Sequence, residues 1–440
     1  MKETVLSNVT HSLPALVALF TFLLAYFLVV IEEFTHLQKS KPLVIAASII
    51  WILVAWLAHQ QGQSSLANDA IRHNLVDFVE LLLFILVAIT YINVLTERKV
   101  FEALRCWLTK RGFSYRQLFW LTGIIAFLMS SIADNLTTAL ALSAVVITVG
   151  KNNARFTSMA CINLVVAANA GGAFSPFGDL TTLMVWQAGL LPFTKFFDLF
   201  LPSLVNYIIP ALCMHCAIPN GHPEPLTVDT SLLAGGKQVI WLFLATIATT
   251  VTLQNAFQMP PALGMMTGLG FLQLFAYYTQ HQTKIPRLAI FPAIKELDWD
   301  TLLFFYGIIL AIGGLATLGY LDWVSTTVYV DWGKNMTPAY QHTPGNIVIG
   351  VLSALIDNIP LMFAVITMHP AMSEGQWLLL TLTAGVGGSL LSIGSAAGVG
   401  IMGQAQGKYT FFSHLKWSWA IALGYIGSIA CHLWLNAASF

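Results

Sequence analysis

Apolar residues run through this chain in long unbroken stretches, and the charges gather between those stretches rather than alternating within them. A helix that crosses a bilayer needs about 20 consecutive apolar residues. The pattern predicts spans at about 13–31, 42–58, 75–95, 202–218, 237–257, 261–279, 301–320 and 412–435. Two more stretches, about 157–188 and 376–403, are interrupted by glycine-rich segments and predict helices broken inside the membrane, for about ten crossings in all.

Two apolar stretches fit no simple crossing. One, about 117–150, is too long for a single span and carries Ser130, Ser131, Asp134, Asn135, Thr137 and Thr138 at its centre. The other, about 345–369, carries Ser353, Asp357, Asn358 and Pro360. An ionisable residue among apolar flanks is expensive in hydrocarbon and points to function by default. Irregular backbone at that depth survives only where protein or a water-filled cavity surrounds it. Both stretches therefore predict re-entrant hairpins with polar tips.

Composition sharpens the class. Of 440 residues, 57% are hydrophobic and only 9% charged, against roughly 25% charged in soluble proteins. The fold class is an all-α polytopic membrane protein whose partner is the lipid bilayer. Basic and acidic residues balance at 20 each, so nothing recommends nucleic acid. Cys213 and Cys216 form a C-x-x-C on an apolar helix with no second pair, which reads as packing. The first run, Leu13 to Ile31, lacks a basic n-region and a small-residue cleavage site and reads as a retained span. Most tryptophans, Trp51 and Trp186 among them, fall near span ends and read as interface anchors.

The charges set orientation. Arg98, Lys99, Arg105, Lys110, Arg111 and Arg116 precede the first hairpin, and Lys151 and Arg155 follow it. Positive loops stay cytoplasmic, so both ends of that hairpin face inward, as do Lys39, Lys41, Lys284, Arg287 and Lys295. The sparse positive charge around the second hairpin places its ends outside, and both termini fall outside. His73 falls in an outer loop. Asp77 and Glu80 share a face of the third span, with Glu80 deeper and a candidate for a proton path.

The halves then match with opposite orientation: 1–218, a linker at 219–236, and 237–440. In the first, Gly171-Gly172 is followed after five residues by Gly178-Asp179; in the second, Gly387-Gly388 is followed after five by Gly394-Ser395. Inverted repeats with a site at discontinuous helices are a secondary-transporter architecture. The tips and breaks supply Asp134, Asn135, Thr137, Asn169, Asp179, Thr181, Thr182, Asp357, Asn358, Ser392 and Ser395. These are oxygen donors of the kind hard cations take. Half-helix ends alone suit either sign of ion. Three aspartates with no lysine or arginine at these elements favour a cation. A buried carboxylate that accepts a proton or a metal cation gives exchange with no cofactor beyond the transported ions. Asp179, just before Leu180-Thr181-Thr182, also reads as a helix N-cap.

Ser131-x-x-Asp134-Asn135-x-Thr137, the run Asn169 to Thr182, Asp357-Asn358-Ile359-Pro360 and Ser392-Ile393-Gly394-Ser395 resemble the NhaD-type sodium/proton antiporters of the ion transporter superfamily. The resemblance covers essentially residues 40–440. It implies a bacterial inner-membrane antiporter that exports Na⁺ or Li⁺ against H⁺, serves pH homeostasis and is commonly a homodimer. By motif position it implicates Asp134, Asn135, Thr137, Asn169, Asp179, Thr181, Thr182, Asn358, Ser392 and Ser395, with Glu80 before them; Na⁺ itself falls to Asp134, Asn135, Asp179, Asn358 and Ser392. Pro176 stands where the second half has Ser392, so the half-sites are chemically unequal. The same superfamily holds Na⁺-coupled dicarboxylate carriers and arsenite pumps, which remain alternatives. An intramembrane aspartyl protease is a remote one, because position 176 is Pro where its Gly-x-Gly-Asp motif has Gly, and the chain has no Tyr-Asp.

Overall fold

The computed structural model describes residues 6, 9–35, 37–223, 232–281, 290–295, 297–405 and 407–440, and among them there are helices and no strand. The sequence readings at Lys284, Arg287 and linker residues 224–231 lie outside the described residues. The chain opens with α1 (Leu13–Val30), started by Ser12 as N-cap, and the single turn α2 (Glu32–Thr35). Then come α3 (Ser40–Gln60), α4 (Ser64–Glu97) and α5 (Val100–Lys110).

At 34 residues and 1.5 Å rise, α4 is about 51 Å long, well beyond a hydrocarbon core of about 30 Å. Its ends therefore stand on opposite faces of the molecule. The hydropathy reading starts this span near residue 75 because the first turns carry Asn68, Asp69, Arg72, His73 and Asn74. His73 accordingly belongs to a helix and not to a loop: its Nε2 lies 3.8 Å from Asp77 one turn on.

A capping box of Ser114 and Gln117 starts α6 (Tyr115–Ser130), and Asp134 caps α7 (Asn135–Val149) after the turn 131–134. Next are α8 (Ala154–Gly172), capped by Asn153, a break, and α9 (Leu180–Gln187), capped by Asp179. A 3₁₀ segment at Phe193–Leu199 leads into α10 (Phe200–His215).

The second half holds α11 (Gly236–Phe257), α12 (Pro261–His281), the short α13 (Ile290–Lys295), α14 (Trp299–Thr317) and α15 (Tyr320–Ser325). There follow α16 (Thr343–Leu352), the turn 353–357, α17 (Asn358–Met368) and α18 (Glu374–Gly387). After a second break come α19 (Ala396–Gln404), capped by Ser395, then α20 (Phe411–Leu415) and α21 (Ser418–Leu435).

Among the described residues seven helical segments are individually long and apolar enough to cross a membrane. The breaks divide the stretches read as 157–188 and 376–403 into shorter helices. Burial separates two roles. Every residue of α8 from Met159 to Gly172, and of α18 from Gly375 to Gly387, is buried. The most apolar windows of α1 and α11 are only 17% and 22% buried, which suits helices apolar on every side and facing lipid. Trp51 and Trp186 are not interface anchors. Trp186 is fully buried, and Trp51 donates from Nε1 to the Leu310 carbonyl inside the protein.

α7 and α17 meet opposite ends of α4. By the end of α4, the Tyr115 amide donates to the Gly221 carbonyl, α5 packs on α7, and Lys408 Nζ reaches the Lys151 carbonyl. By the start of α4, His369 at the end of α17 shares a cavity with His73 and Asn74.

Candidate functional site

Two breaks and two turns converge at the centre, and matching positions make matching contacts. The Ser130 hydroxyl donates to the Ala168 carbonyl at 2.6 Å, and the Ser353 hydroxyl donates to the Ala384 carbonyl at 2.8 Å. Gly171 and Gly387 let the backbones touch: a Cβ on either would lie 2.1 Å from the Phe127 carbonyl oxygen or 1.9 Å from that of Gly350. Each turn is thereby pinned against the break of its own half.

The polar side chains of the turns and breaks pair, within the first half and across to the second. Asn135 Nδ2 donates to Asn169 Oδ1 at 3.1 Å, and Asn169 Nδ2 donates to Ser395 Oγ at 3.0 Å. Asn358 Nδ2 donates to the Asp179 carboxylate at 3.2 and 3.4 Å. The first is a closed chain of neutral groups. The second holds a buried carboxylate by both of its oxygens from one neutral amide.

The remaining predicted ligands serve the helix starts. Asp134 accepts from the Thr137 amide at 2.9 Å and from the Thr137 hydroxyl at 2.7 Å, so both its oxygens are engaged in capping α7. Asp357 accepts from the Ile359 amide at 3.3 Å, and Asp179 from the Thr181 amide at 3.2 Å. Thr182 reaches the Gly172 carbonyl only at 3.5 Å. The hydroxyls of Thr181 and Ser392 are fully buried, the first beside the Asp179 carboxylate and the second beside the Tyr409 hydroxyl.

Glu80 is not at the tips. It lines a cavity of about 320 Å³ with His73, Asp77, Met184, Phe363 and His369. Met184 and Phe363 lie on α9 and α17, the helices capped by Asp179 and Asp357. Among the described residues no three His, Cys, Asp or Glu side chains converge to hold a resident metal.

Sequence reasoning missed a buried pair behind the second break. His414 Nε2 meets the Ser389 carbonyl at 2.8 Å, so that nitrogen carries the proton, and the Tyr409 hydroxyl donates to Nδ1 at 2.8 Å. Tyr409 stands beside Ser392. Both side chains follow α19 in ordinary-looking sequence, and only their full burial marks them.

Residues 26–385 match a family model described as a citrate transporter. The chain is 50% identical to the Na⁺/H⁺ antiporter NhaD of Alkalimonas amylolytica, over 98% of this chain and 93% of that one. It is also 50% identical to the NhaD of Vibrio cholerae, over 98% and 94%. The chain belongs to the NhaD family of Na⁺/H⁺ antiporters. A more distant relative, sodium/proton antiporter 1 of Arabidopsis thaliana, is 30% identical over 95% of this chain and 72% of its own length. Like the bacterial NhaD proteins, the chain is a multi-pass membrane protein, with several apolar helices long enough to span.

Proposed function

We propose that this protein exchanges Na⁺, and Li⁺, for H⁺ across a bacterial cytoplasmic membrane by alternating access. It is a transporter and not an enzyme, as its NhaD relatives are. The observation that carries the reading is the buried Asp179 carboxylate of the first break, held at 3.2 and 3.4 Å by Asn358 of the second turn. A cation competes for that carboxylate with a proton, and its arrival or departure alters a contact between the halves. Thr181 supplies a hydroxyl beside it; Asp134, Asn135, Thr137, Asn169, Thr182, Asp357, Ser392 and Ser395 complete the donor set.

The topology follows the same reading. Ten crossings are α1, α3, α4, α8–α9, α10, α11, α12, α14, α18–α19 and α21, with α6–α7 and α16–α17 as re-entrant hairpins. The opposite placement of the hairpin ends relative to α4 supports inverted repeats at 1–218 and 237–440. The face where α4 ends carries Lys99, Lys110, Arg111, Lys151 and Lys408, so it is cytoplasmic, and both termini lie outside. Glu80 lies on an outer path, and the assembly is a homodimer.

The citrate-transporter match raises an anion carrier as the rival. Asp134, Asp179 and Asp357, with no Arg or Lys at the tips or breaks, would repel a polyanion. Everted membrane vesicles with an imposed pH gradient and a pH-sensitive dye separate the two. Na⁺ and Li⁺ should release protons from neutral to alkaline pH; silence with both, or a response to citrate alone, overturns the proposal.

A further inference from the structure

The two half-sites share a backbone but differ at one position. Asn169 immediately follows the carbonyl that Ser130 grips, and Gly385 immediately follows the carbonyl that Ser353 grips. Asn169 reaches across to Ser395, the cap of α19. By the same geometry Gly385 faces Asp179, the cap of α9, but has no side chain to reach with. A Cβ at 385 would stand 3.4 Å from Asp179 Oδ2 and 3.2 Å from the Ala173 Cβ. The glycine is not there for its backbone: it lies inside α18 and is absent from the glycines with positive φ. An alanine would favour the helix. What the glycine preserves is space beside a carboxylate oxygen.

We propose that Gly385 is a specificity determinant of exchange, and that the space it leaves beside Asp179 Oδ2 sets the size of the cation the site admits. This rests on the reading of Asp179 as the exchanging carboxylate. A cation of Na⁺ or Ca²⁺ size sits about 2.3–2.6 Å from its oxygen ligands. A methyl group at 3.4 Å from Oδ2 therefore takes up part of the shell around such an ion. It crowds Na⁺ more than the smaller Li⁺. Half-site asymmetry follows: the amide-filled side closes on itself, and the glycine side keeps the carboxylate open.

The test is G385A in everted vesicles, with half-maximal Na⁺ and Li⁺ concentrations for proton release measured beside thermal unfolding of the purified protein. One added methyl in a fitted pocket discriminates by about tenfold or more, so the Na⁺ value should rise by about that factor relative to Li⁺ while the unfolding temperature holds or rises. An unchanged Na⁺/Li⁺ ratio in a folded variant overturns the proposal. The double variant A173G/G385A removes the tight contact with Ala173 and keeps the methyl beside Asp179. It also stands in for the single variant if that does not fold. A shifted ratio in the double variant supports the proposal, and a wild-type ratio shows that the effect was packing on Ala173 and overturns it. If the wild type itself releases no protons to Na⁺ or Li⁺, the exchange reading fails as a whole, and that result is distinct from a failure at Gly385.

Discussion

Asp179→Asn is the sharpest perturbation of the site, because it removes a charge and almost no volume. Asparagine caps helices about as well as aspartate, so α9 should still begin at Leu180 with a stability change within about 0.5 kcal/mol. The cap oxygen remains able to accept from the Thr181 amide, now at 3.2 Å. The ion loses far more. Two unit charges about 4 Å apart attract by about 4 kcal/mol at an effective dielectric of 20. Each 1.4 kcal/mol is a factor of about ten in affinity, so the site should bind Na⁺ more weakly by about 10²–10³-fold, and with no carboxyl left to carry the proton, Na⁺-driven proton release should be lost. Proton release in everted vesicles, titrated with NaCl, reports the exchange; thermal unfolding of the detergent-purified protein gives the stability. A folded variant with half-maximal Na⁺ within about threefold of wild type, some 0.6 kcal/mol, would refute the assignment of Asp179 as the exchanging carboxylate.

The same logic extends to neighbouring groups. Asn358→Ala and Asp134→Ala should each abolish exchange while the protein still reaches the membrane fraction. Asp134→Ala should also cost about 1 kcal/mol for the lost cap of α7, readable as a lower unfolding temperature. Gly171→Ala puts a methyl 2.1 Å from the Phe127 carbonyl oxygen and should cost about 3 kcal/mol or more. Gly403→Ala, with nothing within 4 Å, should leave the size-exclusion profile unchanged; matching profiles for both variants would refute the close-packed break. His414→Ala strips two buried hydrogen bonds and should destabilise by about 1–3 kcal/mol, with partial recovery in His414→Gln. An unaltered unfolding temperature in His414→Ala would remove it as a prop of the second break.

The tips and breaks were legible because polar residues in an apolar run have few structural excuses. Asp134, Asp179, Asp357 and Ser395 fall at helix starts, where short polar side chains satisfy free amides. The turn before α7 and the break before α9 lie where Asp134-Asn135 and the doubled glycines place them. Pairing between halves was not legible. Equal spacing says that four elements meet, but not that Asn169 binds Ser395 while Asp179 binds Asn358, because that depends on how the halves dock. Surface features were also hidden. The amphipathic α5 and the polar first turns of α4 have too little hydropathy to stand out from loops, although Arg72 and Asn68, four residues apart, bond at 3.3 Å. Gly385 could have been found by laying one half on the other at the doubled glycines, where Asn169 falls opposite it.

Coupled flux in a purified system tests the central claim most directly. Protein reconstituted into liposomes, with an imposed pH gradient and external ²²Na⁺, should accumulate Na⁺ as an internal dye reports proton efflux. Both signals should vanish together in Asp179→Asn. Na⁺ uptake without proton movement, or full coupled flux in that variant, would contradict exchange at the carboxylate shared between the two halves.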